Sequence, residues 1–219
     1  MIKIAVMNAT KLSVEPVEQA AKEFPDVQIF HFMDEGMSYL GKVEGCISGK
    51  NLARMIGLIH SAEELGVDGI LLSCTIFSPY VDTLRKCTDL PLVAADVGVF
   101  EKAAAEYKKV GAVVSFAPTV DSVSEVVKGC IEKINPDFDV EIKLADGAFE
   151  AMAAGDEETH NRMLYETALS MADGKDAIIL SQMSHTRALP LFENFPIPVL
   201  TSPPVSIGLL RDMILERKK

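Results

Sequence analysis

Two stretches of the chain repeat one pattern at an interval of 108 residues. Residues 68–74 read DGILLSC, and residues 176–182 read DAIILSQ. Each stretch is an acid followed by a short apolar run that is typical of a buried β-strand, and each precedes a segment of helix length. Buried strands that alternate with helices predict a mainly parallel sheet covered on both faces. The repeat therefore predicts an α/β fold built from two similar, doubly wound halves.

Two further matches, in the same order, extend the repeat. LPLV at 90–93 corresponds to IPVL at 197–200, and PDV at 25–27 has a looser counterpart in PDF at 136–138. Three matches in order indicate an internal repeat. We expect one domain to comprise residues 1–96 plus 201–219 and the other residues 97–200.

Short β-rich runs and helical patterns give the elements of each half. The clearest helix has apolar residues at Leu52, Met55 and Ile59 and ends before Gly66, and the segment after Pro203 reads as a helix that returns to the first half. The predicted strands are Ile2–Met7, Val27–Phe32, Gly69–Ser73, Leu92–Ala94, Val110–Phe116, Val140–Leu144, Ala177–Ser181 and Val199–Thr201.

Composition excludes several classes of protein. With 48% apolar residues the chain can bury a core, and no apolar run approaches the roughly 20 residues of a membrane helix. A net charge of −11 disfavours nucleic acid as a partner. No secretory signal is visible at the start, so we expect a cytoplasmic protein. The four cysteines form no C-x-x-C pair, which argues against a zinc site or a disulfide framework.

Polar residues collect where the predicted strands end. In paired α/β halves the ligand usually binds in the cleft between them, at the carboxyl ends of the strands. The residues expected there are Asn8, Thr10, Cys74, Thr75, Ser115 to Thr119 and Ser181 to His185. A Gly-rich segment at 45–51 lacks the spacing of a phosphate loop, and its Cys46 reads as part of a turn or of a loop over the cleft.

Cys74 is the best candidate for a reactive residue. A thiol in a strand-to-helix turn faces the amides of the helix start, which lower the pKa of a cysteine there and favour a nucleophile or base. The same amides can hold a substrate carboxylate. The alternative is a buried cysteine that only packs, and position alone leaves both readings open.

The segment LLSC74T, its partner in the second half and SFAPTVDS at 115–122 resemble the aspartate/glutamate racemase superfamily. This resemblance spans nearly the whole chain. It implies two pseudo-symmetric α/β halves, a catalytic thiol at Cys74 and activity on a small carboxylate without cofactor or metal. It also implies that Asn8, Thr75, Ser115 and Thr119 hold the carboxylate, and relatives of this kind are often homodimers.

Gln182 departs from the family pattern, because it stands where such racemases have a second cysteine. An amide cannot exchange protons at useful pKa values, so three readings stay open. His185, three residues on, supplies the second proton, although it also reads as an ordinary polar residue at a helix start. Alternatively, Cys74 acts alone, as in a cis-trans isomerase or a decarboxylase. Finally, the protein only binds a small acid, with Gln182 as a hydrogen-bonding group.

The remaining charged and titratable residues read as structural. Asp96 is expected to cap the helix whose pattern begins at Val97. The group around His160, with acids at Glu157 and Glu158, is expected on the solvated face of a helix. Lone histidines such as His31 are usually structural as well.

Overall fold

The computed structural model describes residues 1–44 and 47–219, so the expectation for Cys46 lies outside the described residues. Within them the strands are β1 (Ile2–Asn8), β2 (Val27–Met33), β3 (Gly69–Leu72), β4 (Leu92–Ala94), β5 (Lys109–Val114), β6 (Asp139–Leu144), β7 (Ala177–Leu180) and β8 (Val199–Thr201).

Helices fill the intervals between the strands. The α-helices are α1 (Val14–Ala21), α2 (Glu35–Glu44), α3 (Gly49–Leu65), α4 (Val81–Arg85), α5 (Ala95–Glu106), α6 (Thr119–Lys133), α7 (Ala148–Ala153), α8 (Glu157–Leu169) and α9 (Ser202–Arg217). Three segments are 3₁₀ helices: Lys11–Ser13, Thr75–Tyr80 and Met183–Phe192.

The chain divides into two compact units. Unit 1 comprises Met1–Ala95 and Pro203–Lys219, and unit 2 comprises Asp96–Ser202. The boundaries differ by one or two residues from those expected from the sequence.

Unit 1 is a four-stranded parallel sheet in the order β2-β1-β3-β4. Helix α9 packs on it as the sequence predicts, with Ile207, Leu210 and Ile214 buried. At Gly69 the helix comes so close that a Cβ atom there would lie 2.7 Å from Cδ1 of Ile214. Unit 1 therefore joins both ends of the chain in one core.

Unit 2 repeats this plan in the order β6-β5-β7-β8, again with parallel strands. One face of the sheet packs on α5 and α6 through residues such as Val99, Phe100 and Val127. The other face packs on α8 through Leu164 and Ala168. Both faces of the sheet are covered, which explains the apolar runs in its central strands β5 and β7.

The hydrogen bonds after the third strand of each unit show the internal repeat in detail. In unit 1 the N–H and Oγ of Ser73 donate to the carbonyl oxygen of Met7, at 3.1 and 2.9 Å. In unit 2 the N–H and Oγ of Ser181 donate to that of Val113, at 3.3 and 2.7 Å. The prediction of an α/β fold with two similar halves is confirmed.

Some predicted boundaries were wrong. Strand β5 ends at Val114 instead of Phe116, because the N–H of Ser115 donates to a side chain and not to a neighbouring strand. Helix α5 begins at Ala95, so Asp96 lies in its first turn and does not cap it. In the described part of the chain no helix is long and apolar enough to span a membrane.

Candidate functional site

Cys74 follows the carboxyl end of β3. Its backbone is extended, with φ −104° and ψ 110°, and its side chain is half-buried between two buried neighbours, Ser73 and Thr75. The segment that follows is a 3₁₀ helix and not the α-helix expected from the sequence, with the Phe77 N–H donating to the Cys74 carbonyl oxygen at 3.0 Å.

Asn8, at the end of β1, is fully buried and uses both ends of its amide within unit 1. Its Nδ2 donates to the Val6 carbonyl oxygen at 2.9 Å, which fixes the orientation of the amide because a carbonyl can only accept. Its Oδ1 accepts from Ser13 Oγ at 2.7 Å and lies 3.0 Å from Ser73 Oγ, whose single proton is donated to the Met7 carbonyl oxygen. Asn8 thereby connects β1 to the residue just before Cys74.

His31 and Glu18 continue this network. Nδ1 of His31 lies 3.1 Å from Asn8 Nδ2, which can only donate, so Nδ1 is the accepting nitrogen. Its Nε2 is then the donating nitrogen and lies 3.1 Å from Oε1 of Glu18. A direct contact between Asn8 and a carboxylate would require one of these bonds to break.

Ser115 and Gln182 are bound to each other in unit 2. The Ser115 N–H donates to Gln182 Oε1 at 2.7 Å, and the Ser115 hydroxyl donates to the same oxygen at 2.8 Å. A backbone N–H can only donate, so the amide oxygen of Gln182, not its nitrogen, faces Ser115. These two residues, expected to bind substrate, are therefore joined in one arrangement.

His185 lies behind Ser115 and is fully buried. Its Nε2 is 2.9 Å from Ser115 Oγ. Since the hydroxyl proton of Ser115 points to Gln182, Oγ accepts here and Nε2 carries the ring proton. Burial, with a smaller contribution from the His160 ring, holds the pKa of His185 well below its ordinary range. The imidazole is therefore neutral, and its Nδ1 has no hydrogen-bond partner among the described residues.

His160 lies beside His185, with 6.0 Å between the ring centroids. The expectation that it sits on the solvated face of a helix was wrong, because it is 1% exposed and shares the buried stripe of α8 with Leu164 and Ala168. Burial is the largest cause that lowers the pKa of His160, against a smaller opposing effect of the hydrogen bond with Asn161. Spacing by four residues from Leu164 was the signal for this burial.

The two remaining predicted residues are both buried. Thr75 begins the 3₁₀ helix after Cys74. Thr119 begins α6, and its Oγ1 donates to the Phe116 carbonyl oxygen at 2.6 Å. Within the described residues, neither threonine is hydrogen-bonded to the clusters around Asn8 or Ser115. Their expected contacts with substrate therefore stay predictions.

Cys74 and Gln182 hold equivalent positions in the two units. Each follows the third strand of its sheet, has an extended backbone and precedes a 3₁₀ helix. Each is half-buried between two buried neighbours. One unit thus presents a thiol and the other an amide at the same point of the fold.

The other cysteines described differ from Cys74 in their surroundings. Cys130 is buried in α6, and burial raises the pKa of its thiol to about 11. Cys87 is half-buried beyond the end of α4, and its Sγ lies 3.5 Å from the Thr83 carbonyl oxygen.

Sequence reasoning did not identify Ser13 and Glu18 as parts of the site. Both lie near the start of the first helical region, and hydrogen bonds join Ser13 to Asn8 and Glu18 to His31. No local pattern marks either residue, because their partners lie on other elements.

Known structures with a similar architecture include several racemases. A glutamate racemase from Francisella tularensis subsp. tularensis superposes with a TM-score of 0.75 at 14% identity, over 99% of this chain and 82% of that one. The aspartate racemase of Picrophilus torridus gives 0.74 at 14% identity, over 98% and 94%. An allantoin racemase from Klebsiella pneumoniae gives 0.71 at 16% identity, over 99% and 89%.

Comparisons of the sequence alone find no match. No protein-family model matches the chain, and no curated protein matches it. The likeness to the racemases is therefore a likeness of fold, which agrees with the resemblance read from LLSC74T and its repeat. The chain has the two-unit α/β fold of these racemases.

Proposed function

We propose that the protein is a cofactor-independent enzyme of the racemase or isomerase type that acts on a small carboxylate through Cys74. The observation that carries the proposal is the half-buried thiol at the carboxyl end of β3, between the buried residues Ser73 and Thr75. Ligands of open α/β sheets bind at this end of the strands. The racemase fold of the known structures supports the same reading.

In this proposal the thiol of Cys74 reacts with the substrate as a base or as a nucleophile. As a base, the thiolate removes the proton of the carbon next to the carboxylate, and the electron pair passes to the carboxylate oxygens. As a nucleophile, it forms a C–S bond to an activated double bond, and the bond breaks again after rotation. Thr75 and Thr119 are proposed to hold the acid group, with Asn8 as a positioning residue behind Cys74.

A second candidate is a reaction that needs only one thiol, such as a cis-trans isomerisation or a decarboxylation. It is favoured by the contacts in unit 2. Gln182 cannot exchange protons, and the neutral ring of His185 directs its only proton to Ser115. The Ser115 hydroxyl donates its hydrogen bond to an amide oxygen, which is not a base. No second proton donor or acceptor stands on this path.

The test is conversion of a panel of amino acids, hydantoins, maleate and malonates, followed by NMR and chiral chromatography. We expect the wild type to convert one compound and Cys74→Ala to convert none. Cys87→Ala is the matched control, since Cys87 is a half-buried cysteine of the same unit, and it should keep the activity. Equal conversion by wild type and Cys74→Ala would refute the role of this thiol.

A non-catalytic protein that binds small acids is the competing function. An activated thiol reacts with iodoacetamide well below the ordinary cysteine pKa of about 8.5, whereas an inert one does not. We expect Cys74 to be alkylated faster than Cys87 near neutral pH, measured by peptide mass spectrometry. Equal slow labelling of both, together with no conversion in the panel, would favour the binding protein.

A further inference from the structure

The contacts of Ser115 determine which way the Gln182 amide points. Its oxygen accepts two hydrogen bonds from Ser115, at 2.7 and 2.8 Å. Turning the amide over would put the NH₂ group against the Ser115 N–H, two donors facing each other. The observed orientation is therefore strongly preferred over the flipped one.

His185 supports this orientation from inside the unit. The Nε2–H of His185 donates to Ser115 Oγ, so the oxygen acts as an acceptor in that bond. The single hydroxyl proton of Ser115 is then donated to Oε1 of Gln182. A serine hydroxyl otherwise rotates among several partners. The ring itself is fully buried and therefore fixed by packing.

The NH₂ group of Gln182 is the end of this chain of hydrogen bonds. Among the described residues nothing accepts from it, and the side chain is half-buried, not enclosed. It is thus a donor of fixed direction with no acceptor in the part of the chain that the structure describes. A donor in this state is complementary to an oxygen of a ligand.

We infer that Ser115 and His185 are positioning residues that hold the Gln182 carboxamide in one orientation, so that its NH₂ group donates to a carboxylate oxygen of the substrate. This inference rests on the proposed function and deepens it. Residue 182 then binds the substrate and moves no proton. Ser115, expected from the sequence to contact the carboxylate, acts through Gln182.

Side-chain NMR relaxation tests the positioning without any assay of activity. We expect an order parameter for Gln182 Nε2 near that of rigid backbone, about 0.85, and a value below about 0.6 for the control Gln28, which is exposed on β2. Ser115→Ala should lower the Gln182 value toward that of Gln28, and Ser115→Thr, which keeps the hydroxyl, should restore it. A Gln182 as mobile as Gln28 in the wild type would overturn the inference.

Titration with malonate and, separately, maleate tests the donor role. We expect at least one acid to shift the Gln182 NH₂ signals, and we expect Ser115→Ala to weaken that binding by at least about tenfold, the effect of losing one bond to a charged group. Ser124→Ala is the matched control, because its hydroxyl bonds only to a carbonyl oxygen of its own helix. Unmoved Gln182 signals with both acids, or unchanged affinity in Ser115→Ala, would contradict the donor role.

The two proposals fail separately. Conversion that depends on Cys74, together with a mobile Gln182, refutes this inference and leaves the proposed function intact. A rigid Gln182 that binds acid in a protein that converts nothing refutes the proposed function instead.

Discussion

Acid should destabilise unit 2 through His185 before the carboxylates begin to titrate. The fully buried imidazole has a pKa well below its ordinary range, while in the unfolded chain it titrates near pH 6.5. As the pH falls below that value, the unfolded state takes up a proton and the folded state does not. The unfolded state is therefore favoured, and the free energy of unfolding decreases.

The size of the effect follows from the unfolded pKa alone if the folded ring stays neutral. Between about pH 7 and about pH 5.5, one such histidine removes about 1.3 kcal/mol of stability. His160, whose pKa burial also lowers, adds to this loss. Aspartate and glutamate titrate mainly below about pH 4.5, so the window belongs to the histidines.

The assay is urea unfolding near pH 7 and near pH 5.5, followed through the NMR signals of Ala177–Leu180 in wild type and His185→Gln. Glutamine keeps a donor close to the position of Nε2 but does not titrate. Between the two pH values, we expect His185→Gln to lose about 1.3 kcal/mol less of its free energy of unfolding than the wild type loses.

His60→Gln is the control for the replacement of a histidine by glutamine, since His60 is exposed on α3. An unchanged pH dependence in His185→Gln would refute the assignment of His185 as a neutral, buried ring.

Two further predictions concern buried groups elsewhere. Asn51 on α3 is fully buried, and neither polar atom of its side chain has a hydrogen-bond partner within residues 1–44 and 47–219. Asn51→Leu should therefore raise the free energy of unfolding by about 1–3 kcal/mol, measured by urea denaturation. A loss of stability would show that the amide is hydrogen-bonded in solution. Cys130, with its pKa raised to about 11, should stay unlabelled by iodoacetamide near pH 8 while Cys87 reacts, and equal labelling of the two in the folded protein would contradict its burial.

The fold was largely predictable because its signal is local and repeated. Every predicted strand is present, and the match between 68–74 and 176–182 corresponds to two strands in the same position of two sheets. The ends of elements were less predictable. Ser115 does not continue β5, because its N–H donates to the side chain of Gln182 and not to a neighbouring strand. Gln182 lies 67 residues away in the sequence.

The candidate site was predictable in position but not in its contacts. Cys74, Asn8, Ser115 and Gln182 do lie at the carboxyl ends of strands, as parallel sheets require. The periodicity of the sequence does not reveal that the Asn8 amide contacts Ser13 and Ser73, or that His185 donates a hydrogen bond to Ser115. The ligand cleft expected between the halves stays a prediction.

The measurement that tests the central claim most directly is deuterium uptake from heavy water by the compound that the protein converts, read by mass spectrometry in wild type, Cys74→Ala and Cys87→Ala. If Cys74 transfers the proton, one deuterium should appear at the carbon next to the carboxylate with wild type and Cys87→Ala, and none with Cys74→Ala. Conversion without label, again only when Cys74 is present, would identify the thiol as a nucleophile. The same deuterium uptake with Cys74→Ala as with wild type would contradict the account.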